Sequence, residues 1–131
     1  MKATVLFLAA ILATPFGQQT NPFKQSPAEH IIITIEDPFK VRSIRGTVTE
    51  AVGDSSPLPD VTFEVRGPGT KGKVKGAVTN EHGQFKIDHL PEGTYEFKAT
   101  LNGWQSVEGK IVLSNKAPRH NRIRIEMRLG V

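Results

Sequence analysis

The chain has 131 residues, a formal net charge of +4 and no cysteine. The lack of cysteine excludes disulfides, thiolate metal sites and cysteine nucleophiles. The positive charge permits weak attraction to polyanions such as phosphorylated glycans or lipid head groups. The basic residues are scattered, however, and are not interleaved with aromatic residues, which argues against a nucleic-acid partner.

The N-terminal 17 residues have the pattern of a signal helix. Lys2 supplies a positive charge, and an apolar run over residues 3–13 is followed by Pro15 and Gly17. A membrane span needs about 20 apolar residues, so this run is too short to serve as a stable membrane anchor. Cleavage is expected after Gly17, with cleavage after Ala13 as the alternative. The sequence therefore predicts a secreted or periplasmic protein, and the lack of disulfides in an exported protein suits a bacterial envelope.

Residues 18–39 form a second region with two parts. Prolines among polar residues over 18–28 predict an unstructured leader. A β-branched run follows, which favours a strand, and it consists of Ile31, Ile32, Ile33 and Ile35. This strand is expected either to join the domain as an edge strand or to dock on another subunit by strand addition, which would give a homo-oligomer.

Residues 40–131 show the spacing of a β-sandwich. Short β-branched or aromatic runs recur between Gly, Pro, Asn and Asp, and several alternate apolar with polar residues. Asn102 and Gly103 together give a strong hairpin signal. The sequence predicts an all-β domain, a seven-stranded antiparallel β-sandwich with strands at residues 42–52, 61–67, 73–79, 84–88, 94–101, 104–113 and 122–129. The side chains expected to face its core include Val61, Phe63, Val65, Phe85, Ile87, Tyr95, Phe97, Ala99, Leu101, Ile123, Ile125, Met127 and Leu129.

Five short motifs occur in order along these strands: Gly46/Val48, Pro59/Val61/Val65, Thr79/Gly83/Phe85, Leu90/Pro91/Gly93/Tyr95 and Gly103/Trp104. Over about residues 42–129 this series resembles the carboxypeptidase regulatory-like domain, a family with a prealbumin-like (transthyretin-like) sandwich. Asn80 stands where the family usually has Asp, and both residues cap a turn in the same way.

The motif residues are expected to carry structure. A glycine inside a strand indicates a bulge or a close backbone approach, as at Gly46. A tyrosine on an inner face is expected to send its hydroxyl to a backbone partner at the sandwich rim, as in a tyrosine corner. The expected turn and core set is Gly46, Gly83, Phe85, Pro91, Gly93, Tyr95 and Gly103.

Neither the motifs nor the remaining polar residues predict an enzyme. His30, His82, His89 and His120 lack the spacing of metal ligands on one strand. No Gly-x-Ser-x-Gly elbow occurs, and the acidic residues near turns are typical of turn chemistry. A hydroxyisourate hydrolase of similar fold ends in Tyr-Arg-Gly-Ser, whereas this chain ends in Met-Arg-Leu-Gly-Val. We predict no catalytic residue, no metal and no cofactor.

The resemblance implies an exported, non-enzymatic module for protein–protein or cell-envelope interaction, with an envelope protein or a glycan as partner. One alternative is a carbohydrate-binding (starch-binding-like) module. It would use Trp104, the only tryptophan, as a stacking platform, with Tyr95 close to it in sequence. A second alternative is a transthyretin-like small-ligand carrier, whose site would exist only between subunits.

Overall fold

The computed structural model describes residues 22–26 and 31–130. Within these ranges the chain forms nine β-strands and no helix. The strands are β1 (Ile32–Thr34), β2 (Phe39–Val41), β3 (Ile44–Glu50), β4 (Thr62–Arg66), β5 (Lys75–Val78), β6 (Gln84–Ile87), β7 (Gly93–Thr100), β8 (Ser106–Leu113) and β9 (Ile123–Met127). The sequence-predicted signal helix, its cleavage site and His30 lie outside the described residues. No helix in the described part is long and apolar enough to cross a membrane.

The seven strands predicted for the sandwich correspond to β3–β9, and the structure adds β1 and β2 to the same sandwich, so its strand count of seven is wrong. β1 forms in the isoleucine-rich run, and β2 was not predicted because three residues are too few to show a period of two. β1 pairs with β8 as an edge strand of the same domain. This is the first of the two arrangements that the isoleucine run suggested.

The strands form two sheets packed face to face. The larger sheet has the order β1-β8-β7-β4-β5, with β2 also paired to β8, and the smaller has the order β6-β3-β9. The expectation of a purely antiparallel sandwich is wrong, because β1 and β2 run parallel to β8 and β9 runs parallel to β3. None of these three pairs is a hairpin, so no tight turn forces the two strands to run in opposite directions.

The core lies between the two sheets and is built on a phenylalanine stack. Phe63 of β4 lies 4.0 Å from Phe85 of β6 and 5.4 Å from Phe97 of β7, measured between ring centroids. These rings and most of the other inward residues of the alternating strands are buried. Leu129 is an exception to the predicted core set, because it follows the end of β9 and is 61% exposed.

Residues 22–26 lie along the outer face of the larger sheet. The Lys24 backbone N–H donates to Glu64 Oε1 at 2.7 Å, and the Ser26 hydroxyl donates to the Leu101 carbonyl at 3.3 Å. Ser26 is only 7% exposed. Residues 22–26 have no regular secondary structure, but their polar groups bond to Glu64 and Leu101, which fixes this part of the predicted leader against the domain.

Candidate binding face

The β5–β6 turn shows how the motif residues act on the fold. Asn80 Oδ1 accepts hydrogen bonds from the backbone N–H groups of His82, at 2.9 Å, and Gln84, at 3.0 Å. Asn80 thus serves in the role expected of an aspartate. Gly83 has a φ of +72°, and a Cβ there would lie 2.5 Å from the Val48 carbonyl oxygen. The turn therefore requires glycine at this position on two grounds.

Tyr95 forms the corner between the β6–β7 turn and the core. Its ring is fully buried, and its hydroxyl donates to the Pro91 carbonyl, four residues back, at 2.6 Å. The Pro68 carbonyl lies 3.2 Å from the same hydroxyl, and a Cβ at Gly93 would press on the Pro68 ring. Burial raises the pKa of Tyr95 above its ordinary value. Tyr95 therefore presents no ring surface on which a sugar could stack.

We expect Tyr95→Phe to lower the free energy of unfolding by about 1 kcal/mol, because the Pro91 carbonyl loses its donor. The same substitution should also remove the decrease in the free energy of unfolding that the wild type shows as the pH rises above about 10. In the wild type the raised pKa means that the unfolded chain loses the phenolic proton first, so stability present below about pH 10 is lost as the pH rises. Denaturant unfolding across alkaline pH measures both effects. Tyr95 is the only tyrosine, so an ultraviolet titration that gave an ordinary phenol pKa in the folded protein would contradict this account.

Trp104 lies at the other end of β7, beyond the turn that contains Gly103. Leu101 lies six positions beyond Tyr95 on an extended chain, a distance of roughly 20 Å. The Trp104 N–H donates to the Leu101 carbonyl at 2.9 Å, so Trp104 is equally far from Tyr95. The indole is half-buried against the core, and Trp104 forms a bridge to Leu129. The structure therefore does not bring the two aromatic residues of the suggested ligand platform together.

The described histidines and acidic residues form no metal site. His82, His89 and His120 are all exposed. Among the described residues, no group of three His, Asp or Glu side chains could hold a metal ion. Asp54 accepts a hydrogen bond from the Ser56 hydroxyl within its own turn, and Asp60 adopts a positive φ in the next turn, as acidic turn residues do.

The most distinctive polar feature of the described surface is a group of cations on the outer face of the small sheet, termed here the basic face. It comprises Arg45 of β3, Lys86 of β6, and Arg122 and Arg124 at the start of β9. Arg45 lies directly opposite Lys86, and Thr47 opposite Arg124. Gly46 pairs with Ile123 in the parallel ladder. Extending this ladder by one residue towards the N-terminus of both strands sets Arg122 beside Arg45. Three cations thus form a row across three strands, with neighbouring strands about 4.8 Å apart.

Few carboxylates neutralise this face. Of the residues that line its groove of about 590 Å³, four are cationic and none is acidic. Lys86 lies 3.7 Å from Asp88, but both side chains are more than half exposed, so this ion pair is weak. Glu126, two residues beyond Arg124 on β9, marks the end of the basic face. Like charges directly opposite each other destabilise a sheet, so the arrangement favours an anionic ligand over a structural role.

Ala77 and Val78 of β5 and Phe85 of β6 also line the groove. The basic residues look scattered in the sequence, because Arg45, Lys86 and Arg122 are far apart along the chain. The alternation of Arg122 and Arg124 with buried isoleucines was the one local signal of a shared face.

The fold is a two-sheet β-sandwich with a row of cations on the outer face of its small sheet. Residues 43–128 match the family model of the carboxypeptidase regulatory-like domain. The chain belongs to this family. No curated protein matches the chain.

Two solved structures overlap with part of the sandwich. One is an N-terminal interface mutant of a type II cohesin–X-dockerin complex from Acetivibrio cellulolyticus, with 22% identity over 66% of this chain and 57% of that chain and a TM-score of 0.43. The other is a C-terminal interface mutant of such a complex, with 22% identity over 65% of this chain and 56% of that chain and a TM-score of 0.42. The chain thus spans less than two thirds of the length of either matched chain.

Proposed function

We propose that the protein is an exported, non-enzymatic interaction module that binds an anionic partner at the cell envelope through the basic face. The observation that carries the proposal is the row of Lys86, Arg45 and Arg122, which has no carboxylate among the residues lining its groove. A sheet gains nothing from placing like charges side by side. A bound anion removes that repulsion, so the partner and the face suit each other electrostatically.

Two further observations support a binding role without catalysis. The chain belongs to a family of regulatory-like domains, and its described histidines and carboxylates form no group that could hold a metal ion. The N-terminal apolar run supports export. The partner in this proposal is an envelope protein or a glycan that carries negative charge.

Neutralising the basic face tests the proposal. The variant carries Arg45→Gln, Lys86→Gln, Arg122→Gln and Arg124→Gln. Binding is measured to three immobilised probes: an acidic polypeptide, a sulfated glycan and vesicles containing an anionic phospholipid. Exposed ion pairs contribute about 0.2–1 kcal/mol each, so we expect the affinity for the preferred probe to fall by about tenfold or more. Higher ionic strength should weaken wild-type binding, because exposed charges are screened.

The matched control removes the same charge elsewhere, through Lys24→Gln, Lys71→Gln, Lys110→Gln and Lys116→Gln. All four positions are exposed, and none lines a groove with Arg122 or Arg124. We expect this control to keep its affinity to within about twofold, since distant exposed charges are screened. The basic-face variant should be at least as stable as the wild type, because Arg45 no longer opposes a cation. Equal losses in the two variants, or no binding of any probe by the wild type, would show that the basic face is not the binding site.

A further inference from the structure

One edge of the large sheet is left open beside the basic face. In the part of the chain that the structure describes, β5 pairs with β4 alone. At the opposite side of the large sheet, β1 and β2 both pair with β8 and cover its outer side. In the small sheet, as far as the structure describes the chain, β6 and β9 each pair with β3 alone. β5 therefore differs from β8 in having no described strand along its outer side, and Ala77 and Val78 of β5 line the groove of the basic face.

The register shows which backbone groups face this opening. The Thr79 N–H donates to the Val61 carbonyl at 2.9 Å, and Ala77 lies opposite Phe63. Backbone groups alternate between the two sides of a strand. Residues 75, 77 and 79 thus direct their N–H and C=O groups towards β4, and Gly76 and Val78 direct theirs to the open edge.

The side chains of β5 do little to block strand addition. Gly76 has no side chain, and Val78 is apolar and 59% exposed. Natural sheets protect such edges with proline or with lysines that point along the edge. β5 has no proline, and the Nζ of Lys75 donates to the Asp88 carbonyl at 2.8 Å. An unprotected edge of this kind invites pairing with another strand.

We infer that an extended acidic segment of a partner polypeptide adds to the edge of β5 and places its carboxylates against the basic face. This rests on the proposed function and specifies its partner. The four residues of β5 span about 13 Å of extended chain, so the contact involves a short segment. Successive side chains of a strand point to opposite sides, so acidic residues at every second position suit the arrangement. A glycan or a lipid head group would satisfy the cations but not the backbone groups of Gly76 and Val78, which favours a polypeptide.

A labelled peptide of about eight alternating Glu and Val residues is the probe, a length within the usual range of strands. Its binding to the full chain is measured by fluorescence anisotropy. Two further peptides of the same sequence carry N-methyl groups on one or the other alternate set of residues. They keep the charge and lose the N–H donors on one side. We expect one of the two N-methylated peptides to bind about tenfold more weakly, the loss that follows when several interfacial hydrogen bonds cannot form.

Val78→Pro gives an independent check on the protein side. The Val78 N–H faces the open edge, where proline is tolerated in a sheet, so we expect a folded protein that binds the peptide about tenfold more weakly. Should that variant fail to fold, the N-methylated peptides still decide, because they require no change in the protein.

Equal binding of all three peptides would overturn strand addition. Binding of the sulfated glycan or the vesicles without the peptide would overturn the polypeptide partner while leaving the proposed function intact. The proposed function itself fails on a different result: the wild type binds no probe, or neutralising the basic face weakens binding no more than the control substitutions do.

Discussion

Replacing Gly46 with alanine is expected to unfold the small sheet or to destabilise the protein by at least about 3 kcal/mol, the upper part of the range for overpacked cores. Gly46 lies in the middle of β3, between β6 and β9. A methyl group there would overlap the carbonyl oxygen of Ile123 and lie 2.8 Å from its Cβ. The backbone of Ile123 is held in the parallel ladder with β3, so it cannot move aside without breaking that ladder.

Gly103→Ala is the matched control, because it also adds one methyl group but is expected to destabilise the protein for a different reason. A Cβ at Gly103 would meet nothing within 4 Å, but φ is +86°. We expect a cost of about 1–2 kcal/mol from the left-handed backbone alone. Denaturant unfolding followed by circular dichroism measures both variants. If Gly46→Ala were no more costly than Gly103→Ala, the close contact between β3 and β9 would not exist as described.

The sequence predicts those strands and turns whose pattern lies within a few neighbouring residues. β7 and β9 alternate apolar and polar residues through their length, so the sequence alone assigns Tyr95, Phe97, Ile123 and Ile125 to the core. The turn at Asn80–Gly83 was likewise predictable, because a capping side chain and a glycine lie at fixed positions within it. Both features need only residues that are close together in the chain.

The features that escaped prediction depend on pairing between distant segments. β3 pairs with β9 in parallel, and no hairpin signal can indicate such a pair. The basic face follows from that pairing, because only the register sets Arg124 beside Thr47 and Arg122 beside Arg45. Residues 22–26 pose the same difficulty: their sequence is polar, and their order comes from bonds to Glu64 and Leu101 far along the chain.

The packing of the two sheets against each other depends most on one residue of the phenylalanine stack, Phe63. Phe63 is fully buried, and its ring is within 25° of parallel to Phe85, at 24°, and to Phe97, at 21°. Phe85 belongs to the small sheet, whereas Phe63 and Phe97 belong to the large one. We expect Phe63→Ala to lower the free energy of unfolding by about 3–5 kcal/mol, since the lost ring leaves a cavity between the sheets. Denaturant titration at neutral pH measures this loss.

Phe39→Ala is the control for loss of an aromatic ring outside the stack. Phe39 lies on the edge strand β2, is half-buried, and meets Phe97 at 5.8 Å with a tilt of 52°. Its removal leaves an open depression at the sheet edge and no enclosed cavity. The loss of unfolding free energy should therefore be about 2 kcal/mol smaller than for Phe63→Ala. Phe63→Leu should fall between the two, because it keeps part of the volume and loses the stacking. Equal costs for Phe63→Ala and Phe39→Ala would mean that the sheets are held together by the strand edges and not by the stack.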